Sequence, residues 1–375
     1  MPLDVAIAPA PSRGLRFTRR PAPRAVAAWL FVICGMLLVM VSLGGATRLT
    51  GSGLSIMEWA PLMGALPPLS DAEWQRLYAL YQQIPQYSLV NQGFGIEGFK
   101  GIFWLEWGHR LWGRLIGLAF LLPLLWFAVR GAIDGRLARR LGLLFLLGGL
   151  QGAIGWFMVA SGFAADSTTV SPYRLVIHLT MALLLYSVIF WTALGLWRDG
   201  ASAPAQPVAP PPALRRLSVA VLHLVALTVV AGGFVAGMRA GFTYNTFPLM
   251  DVHLVPEGYW ALQPGVRNLA ENIATVQFDH RLLATGTALL ALATVAQGLR
   301  AGVRGVLRTR LLLLGGAVLA QYALGVTTLL WVVPVSLGTA HQAMAVLVLT
   351  AALALLHAQA RGAGRAVAPS RQAAG

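Results

Sequence analysis

A single cysteine, Cys34, rules out an intrachain disulfide. Charge is scarce as well: 11% of the 375 residues are Asp, Glu, Lys or Arg, where a soluble domain carries roughly 25%. Acid is the scarcer sign, with 13 residues against 28 basic ones, and apart from Lys100 every basic residue is an arginine. These shortages exclude a disulfide-stapled secreted scaffold and an ordinary water-soluble globule. A net charge of +15 would suit nucleic acid if the arginines formed one face. They lie instead in short linkers between apolar runs, a signal of membrane topology that excludes nucleic acid as the partner.

What the sequence does have is apolar length. It is 57% hydrophobic, with a mean hydropathy of +0.69. Eight runs are long enough to cross a bilayer, at about 25–44, 107–129, 141–161, 174–197, 216–236, 277–299, 311–333 and 338–358. The linkers between them alternate in character. The N-terminal tail, 130–140, 198–216, 300–310 and the C-terminal tail hold most of the arginines and only Asp4, Asp134 and Asp199 among the acids. Positive-inside bias puts that set, and both termini, in the cytoplasm. The linkers 45–106, 162–173, 237–276 and 334–337 then face the periplasm or its equivalent. The expected location is a bacterial cytoplasmic (inner) membrane. A mitochondrial inner membrane is the lesser alternative, because the Arg-rich leader is Pro-rich and lacks the amphipathic period of a transit peptide. In the first outer loop, Ser70-Asp71-Ala72-Glu73 reads as a capping box. Trp74, Leu77, Tyr78 and Tyr81 follow at helical spacing up to Pro85, predicting a short amphipathic helix on the membrane surface or over the bundle.

The chain repeats itself. Gly44-Gly45 at the end of span one matches Gly232-Gly233 at the end of span five, with Arg48 and Arg239 following. Pro61-Leu62-Met63 matches Pro248-Leu249-Met250, and His109-Arg110 matches His280-Arg281. Gln151-x-x-x-Gly155 matches Gln321-x-x-x-Gly325, and His178 matches His341. The expected fold is therefore all-α and integral to the membrane: two tandem four-helix bundles related by a pseudo-twofold axis along the membrane normal. The N-terminal half would be 25–197 and the C-terminal half 216–358. A tail (1–24), a linker (198–215) and a second tail (359–375) would be cytoplasmic.

His109, His178, His280 and His341 fall near the outer ends of the even-numbered spans, two per half. Histidine inside a membrane helix is costly and is by default functional. Paired imidazoles without a Cys or carboxylate cluster suit the two axial positions of haem iron better than tetrahedral zinc. Proton relay and quinone contact are the alternatives. Gly108, Gly113, Gly117, Gly152 and Gly155 would let a flat macrocycle approach the backbone. Arg48, Arg110, Arg239 and Arg281, at the rim, are candidate contacts for its propionates or interfacial side chains that snorkel to water. His223, His253 and His357 have no counterpart and read as packing or interfacial residues. The halves differ at Glu106, one turn before His109, where the second half has Gln277. Carbon–hydrogen oxidation needs a proton acceptor or a group that stabilises positive charge, and a carboxylate can be either. The bland reading is an i,i+4 pair with Arg110. Asp279, beside His280, points elsewhere and reads as a rim ion-pair partner.

Over residues 25–358 the sequence resembles the haem A synthase family. The resemblance rests on Gly45-Ala46-x-Arg48-Leu49-Thr50-x-Ser52-Gly53-Leu54-Ser55, Glu106-Trp107-x-His109-Arg110-x-x-Gly113-Arg114, His178, Phe278-Asp279-His280-Arg281 and His341-Gln342. It implies an enzyme that oxidises the C8 methyl of haem O to the formyl of haem A by two hydroxylations and loss of water. It further implies His280 and His341 on a resident haem b, His109 and His178 on the substrate haem, and Glu106 as the catalytic carboxylate. A haem O synthase upstream and cytochrome oxidase assembly downstream are the implied partners, and a homo-oligomer is compatible with the sequence. The outer-loop cysteine pair of one branch is missing, so the chain is similar to the proteobacterial and mitochondrial branch. Thiol chemistry is thereby excluded, and a ferredoxin-type donor or a quinol is left as reductant. The rival readings are a dihaem b-type cytochrome that only carries electrons and a haem transporter or chaperone.

Overall fold

A computed structural model of the chain describes residues 22–61, 63–199 and 211–360. Both tails, most of the 198–215 linker and Leu62 of the first Pro-Leu-Met motif lie outside the described residues. The described residues form helices α1 (Pro23–Leu49), α2 (Asp71–Tyr81), α3 (Pro85–Leu89), α4 (Ile96–Val129), α5 (Gly135–Ala160), α6 (Pro172–Asp199), α7 (Pro212–Gly237), α8 (Asn268–Glu271), α9 (Ile273–Arg300), α10 (Gly305–Leu330) and α11 (Val335–Gln359). Among them there is no strand, only one bridge between Met250 and His253. Eight helices are long and apolar enough to cross a bilayer: α1, α4, α5, α6, α7, α9, α10 and α11. This is what a low-dielectric solvent demands, since a helix satisfies its backbone groups within itself. The chain is a multi-pass membrane protein.

Helix starts follow local chemistry. Proline stands in the first turn of α1 and α7, where its missing N–H is no loss. Asp134 caps α5 by accepting from Leu137 N–H, and Asn272 caps α9 by accepting from Ala274 and Thr275 N–H. The spanning helices make two rings of neighbour contacts, α1–α4–α5–α6 and α7–α9–α10–α11. Each ring closes on itself through α1·α6 and α7·α11, and the rings meet through α1·α11, α6·α7 and α6·α11. The apolar core runs through both, with Leu30, Ile33, Leu141, Leu214, Leu311, Leu314 and Leu355 fully buried.

Two expected boundaries move. Helix α1 continues past Gly44-Gly45 to Leu49, so those glycines are helical rather than terminal, whereas α7 ends at Gly237 as the span 216–236 led one to expect. Helix α4 begins at Ile96, not near 107, which puts His109 more than three turns inside it. The extra turns are masked in hydropathy by Glu97, Lys100 and Glu106. They are held by aromatic packing instead: Phe99, Ile102 and Phe103 are buried against Trp74, Leu77 and Tyr81 of α2. The Trp74 and Phe103 rings sit 4.9 Å apart.

The amphipathic helix is present at 71–81 and packs on this N-terminal extension of α4. Pro85 opens a further turn, α3, rather than merely ending the first. Ser70 caps α2 by accepting from Glu73 N–H at 3.3 Å. Ser70→Ala should cost about 1 kcal/mol of local stability, read as faster amide exchange over 71–76 with the spans unaffected.

Candidate functional site

Each of the four histidines is pressed against a glycine of a neighbouring helix. A Cβ built on Gly44 of α1 would lie 3.1 Å from the His109 ring, and one on Gly232 of α7 would lie 2.9 Å from His280. Gly155 of α5 stands in the same relation to His178 at 2.9 Å, and Gly325 of α10 to His341 at 2.8 Å. These separations leave room for hydrogen and no more. The two Gln-x-x-x-Gly motifs gain a reason. Glutamine and glycine one turn apart share a helical face, and both address one histidine. Gln151 Nε2 lies 3.0 Å from His178 Nδ1 and donates to the His178 carbonyl at 2.8 Å. Gln321 Nε2 lies 3.4 Å from His341 Nε2.

Within each ring the histidines are in electrostatic reach of one another, His109 of His178 and His341 of His280. Among the described residues no group of three or more His, Cys, Asp or Glu is placed to hold a metal ion. Two imidazoles without further donors match the two axial positions of haem iron. His280 Nδ1 meets the Thr228 carbonyl at 3.1 Å, a contact that would leave Nε2 free to hold a metal. His109 Nδ1 and His341 Nδ1 are buried without a hydrogen-bond partner. Of the small residues expected to admit a macrocycle, Gly108, Gly117 and Gly152 have nothing within 4 Å of a built Cβ. Gly113 instead receives Met40, and Gly155 the His178 ring. The donor set and the glycine cradles fit a haem in each ring.

Glu106 is 2% exposed and accepts five hydrogen bonds. Ser55 N–H and Ser55 Oγ each donate to its Oε2 at 2.7 Å, and Ile56 N–H donates at 2.9 Å. Arg110 Nη2 and Nε donate to Oε1 at 2.6 and 3.1 Å. The i,i+4 pair is therefore formed, and it is one part of a larger clamp. Arg110 also donates to the carbonyls of Ile56 and Glu58, and Arg114 to those of Ala60 and Pro61. Three successive turns of α4 thus hold the segment 55–61. Outside the membrane, Arg76 binds Glu58 through two hydrogen bonds and holds its carboxyl below the usual carboxylate range.

The second ring has the same clamp. Gln277 Nε2 donates to the carbonyls of Ala240 and Thr243, and its Oε1 accepts from Arg281 Nη2. Arg281 also donates to the carbonyls of Tyr244, Thr246 and Leu249. The four rim arginines thus divide. Arg110 and Arg281 split their hydrogen bonds between the side chain one turn earlier and loop carbonyls. Arg48 donates to the Ala236 carbonyl across the two rings and lies in reach of the Arg239 charge. No carboxylate pairs with Arg48 or Arg239 among the described residues.

The COX15-CtaA family, described as a cytochrome oxidase assembly protein, matches residues 27–353. The chain belongs to the COX15-CtaA family. It is similar to the "Heme A synthase" of Granulibacter bethesdensis, with 63% identity over 91% of this chain and 88% of that one. The "Heme A synthase" of Rhodospirillum centenum is 53% identical over 88% and 87% of the two chains. That of Azorhizobium caulinodans is 50% identical over 88% and 93%.

The remaining histidines of this COX15-CtaA member have ordinary surroundings. His253 meets Glu257 at 3.3 Å, His223 Nδ1 meets the Val219 carbonyl, and His357 packs edge-on against Trp191. Asp279 corrects an expectation: it accepts from Tyr259 OH at 3.2 Å and makes no ion pair among the described residues. Sequence reasoning missed Ser55 as a partner of Glu106, and missed what Gly44 and Gly232 are for. Their signal was the repeat itself, which aligned the glycines with the histidines without saying that they touch.

Proposed function

We propose that this chain is a haem A synthase, oxidising the C8 methyl of haem O to a formyl group as the last step of haem A formation for cytochrome oxidase. The observation that carries the reading is the set of four glycine-backed histidines, two per ring, in a chain whose relatives bear that name. His109 and His178 would hold the substrate haem, and His280 and His341 a resident haem b. When bound, haem b supplies one-electron transfer. The protein's own part is positional. The glycines fix ring orientation, and the clamps close the outer side. Arg48 and Arg239, lacking acidic partners, are the arginines best placed for propionates. The two rings would be halves related by a pseudo-twofold axis, in a bacterial cytoplasmic membrane with both termini inside. A haem O synthase would supply the substrate, and a ferredoxin-type protein or a quinol the electrons.

Extraction of pigment from membranes co-expressing a haem O source tests this by mass analysis. Haem A together with haem b is the expected result. Haem b alone would indicate an electron-carrying cytochrome, and haem O that never yields an aldehyde would indicate a binding protein.

A further inference from the structure

We propose that Glu106 is a positioning residue: with Arg110 it fastens the 55–61 segment as a strap from α4 to α5, fixing the spacing of His109 and His178. The proposal rests on the reading of those two histidines as the substrate-haem pair. The strap starts on α4 at Glu106, Arg110 and Arg114. It reaches α5 through Trp59, whose ring stacks on Trp156 at 6.3 Å with 14° between planes. Arg110 lies over the same indole at 5.4 Å. Trp156 directly follows Gly155, the residue that backs His178. One end of the strap is therefore one turn from His109, and the other is next to the cradle of His178.

The second ring is built the same way. Gln277 and Arg281 hold 240–249 on α9, and Phe247 of that segment meets Tyr322 of α10 at 6.3 Å, one turn before Gly325.

The difference between Glu106 and Gln277 then has a structural cause. The first strap turns N–H and O–H donors toward its clamp, and only a carboxylate can accept from these and from a guanidinium at once. The second strap turns carbonyls inward, and an amide can donate to these while accepting from Arg281. An amide at 106 would aim its NH2 either at the Ser55 and Ile56 N–H groups or at Arg110.

The test uses the full-length protein in lipid nanodiscs, as wild type, Glu106→Gln and Ser55→Ala. Three quantities are read: amide exchange over 52–62, the ferric low-spin spectrum of the first site, and the pH profile of haem A formation. Exchange at 55–59 should rise about tenfold in Glu106→Gln, and measurably in Ser55→Ala, on loss of charge-assisted hydrogen bonds. Both variants should shift the first-site spectrum, leave the second-site spectrum unchanged, and lower turnover without changing the shape of the pH profile. Wild-type exchange and spectrum in Glu106→Gln, with one limb of the pH profile lost, would overturn the proposal in favour of a proton acceptor. If Glu106→Gln does not accumulate, Ser55→Ala decides, since it removes one donor and leaves the carboxylate. Wild-type exchange and spectrum there would also overturn it. The exchange readout needs no turnover, so failure of the synthase assignment would appear separately, as wild type forming no haem A.

Discussion

His109→Ala and His178→Ala are each expected to abolish haem A formation, while His280→Ala and His341→Ala are expected to strip haem b and leave haem O binding. The separation follows from the rings. His109 and His178 sit on α4 and α6, and His280 and His341 on α9 and α11, each pair in mutual electrostatic reach. If these histidines hold haem as proposed, losing one should cost more than losing a residue that only hydrogen-bonds a ligand, itself worth roughly 10–100-fold in metal affinity. Occupancy of the affected haem should therefore fall by at least about 100-fold. Haem type and amount per chain, measured on purified variants by extraction and chromatography, check this. Haem b that tracked His109 rather than His280 would reverse the assignment of the two rings.

Much of this was legible because a bilayer simplifies the code. All eight spanning helices were visible in hydropathy, and the four ring histidines were marked by their cost in an apolar helix. The repeat aligned them in pairs before any contact was known. Boundaries failed where aromatic packing took over from hydropathy, as in the first turns of α4 under α2. The direction of the Glu106 carboxylate was not legible either. Helical spacing placed it on the face of His109 and Arg110, but its partners Ser55 and Ile56 come from a segment some fifty residues away. Whether that segment offers N–H or C=O groups depends on its backbone conformation, which has no periodicity to read. For the same reason Arg110 and Arg281 read as candidate propionate contacts or snorkelling side chains, although they also donate to loop carbonyls. A glutamate without a counterpart was a signal of asymmetry, and the hydrogen bonds locate that asymmetry in the polarity of the strap.

Filling the cradles should have effects as large as removing the ligands. Gly→Ala inside a helix ordinarily stabilises it by about 1 kcal/mol. At Gly155 and Gly325 the sign should reverse, because the added methyl would lie 2.9 and 2.8 Å from a histidine ring. The ring cannot yield freely. His178 is held by Gln151 at both Nδ1 and its carbonyl, and His341 lies beside Gln321. Overpacking of this kind costs about 1–3 kcal/mol, and if these histidines hold haem as proposed, turning the ring away adds the loss of the ligand. Gly325→Ala should therefore lower haem b occupancy at least tenfold, and Gly325→Leu should match His341→Ala. Gly155→Ala and Gly155→Leu should do the same for haem O and spare haem b. Gly195→Ala is the control: it lies near the end of α6 remote from His178 and a methyl there meets nothing within 4 Å, so helix propensity alone should act and haem content should stay at the wild-type level. Equal haem content in Gly195→Ala, Gly155→Ala and Gly325→Ala would mean that the histidine rings stand clear of their glycines, and the cradle would then have no part in holding haem.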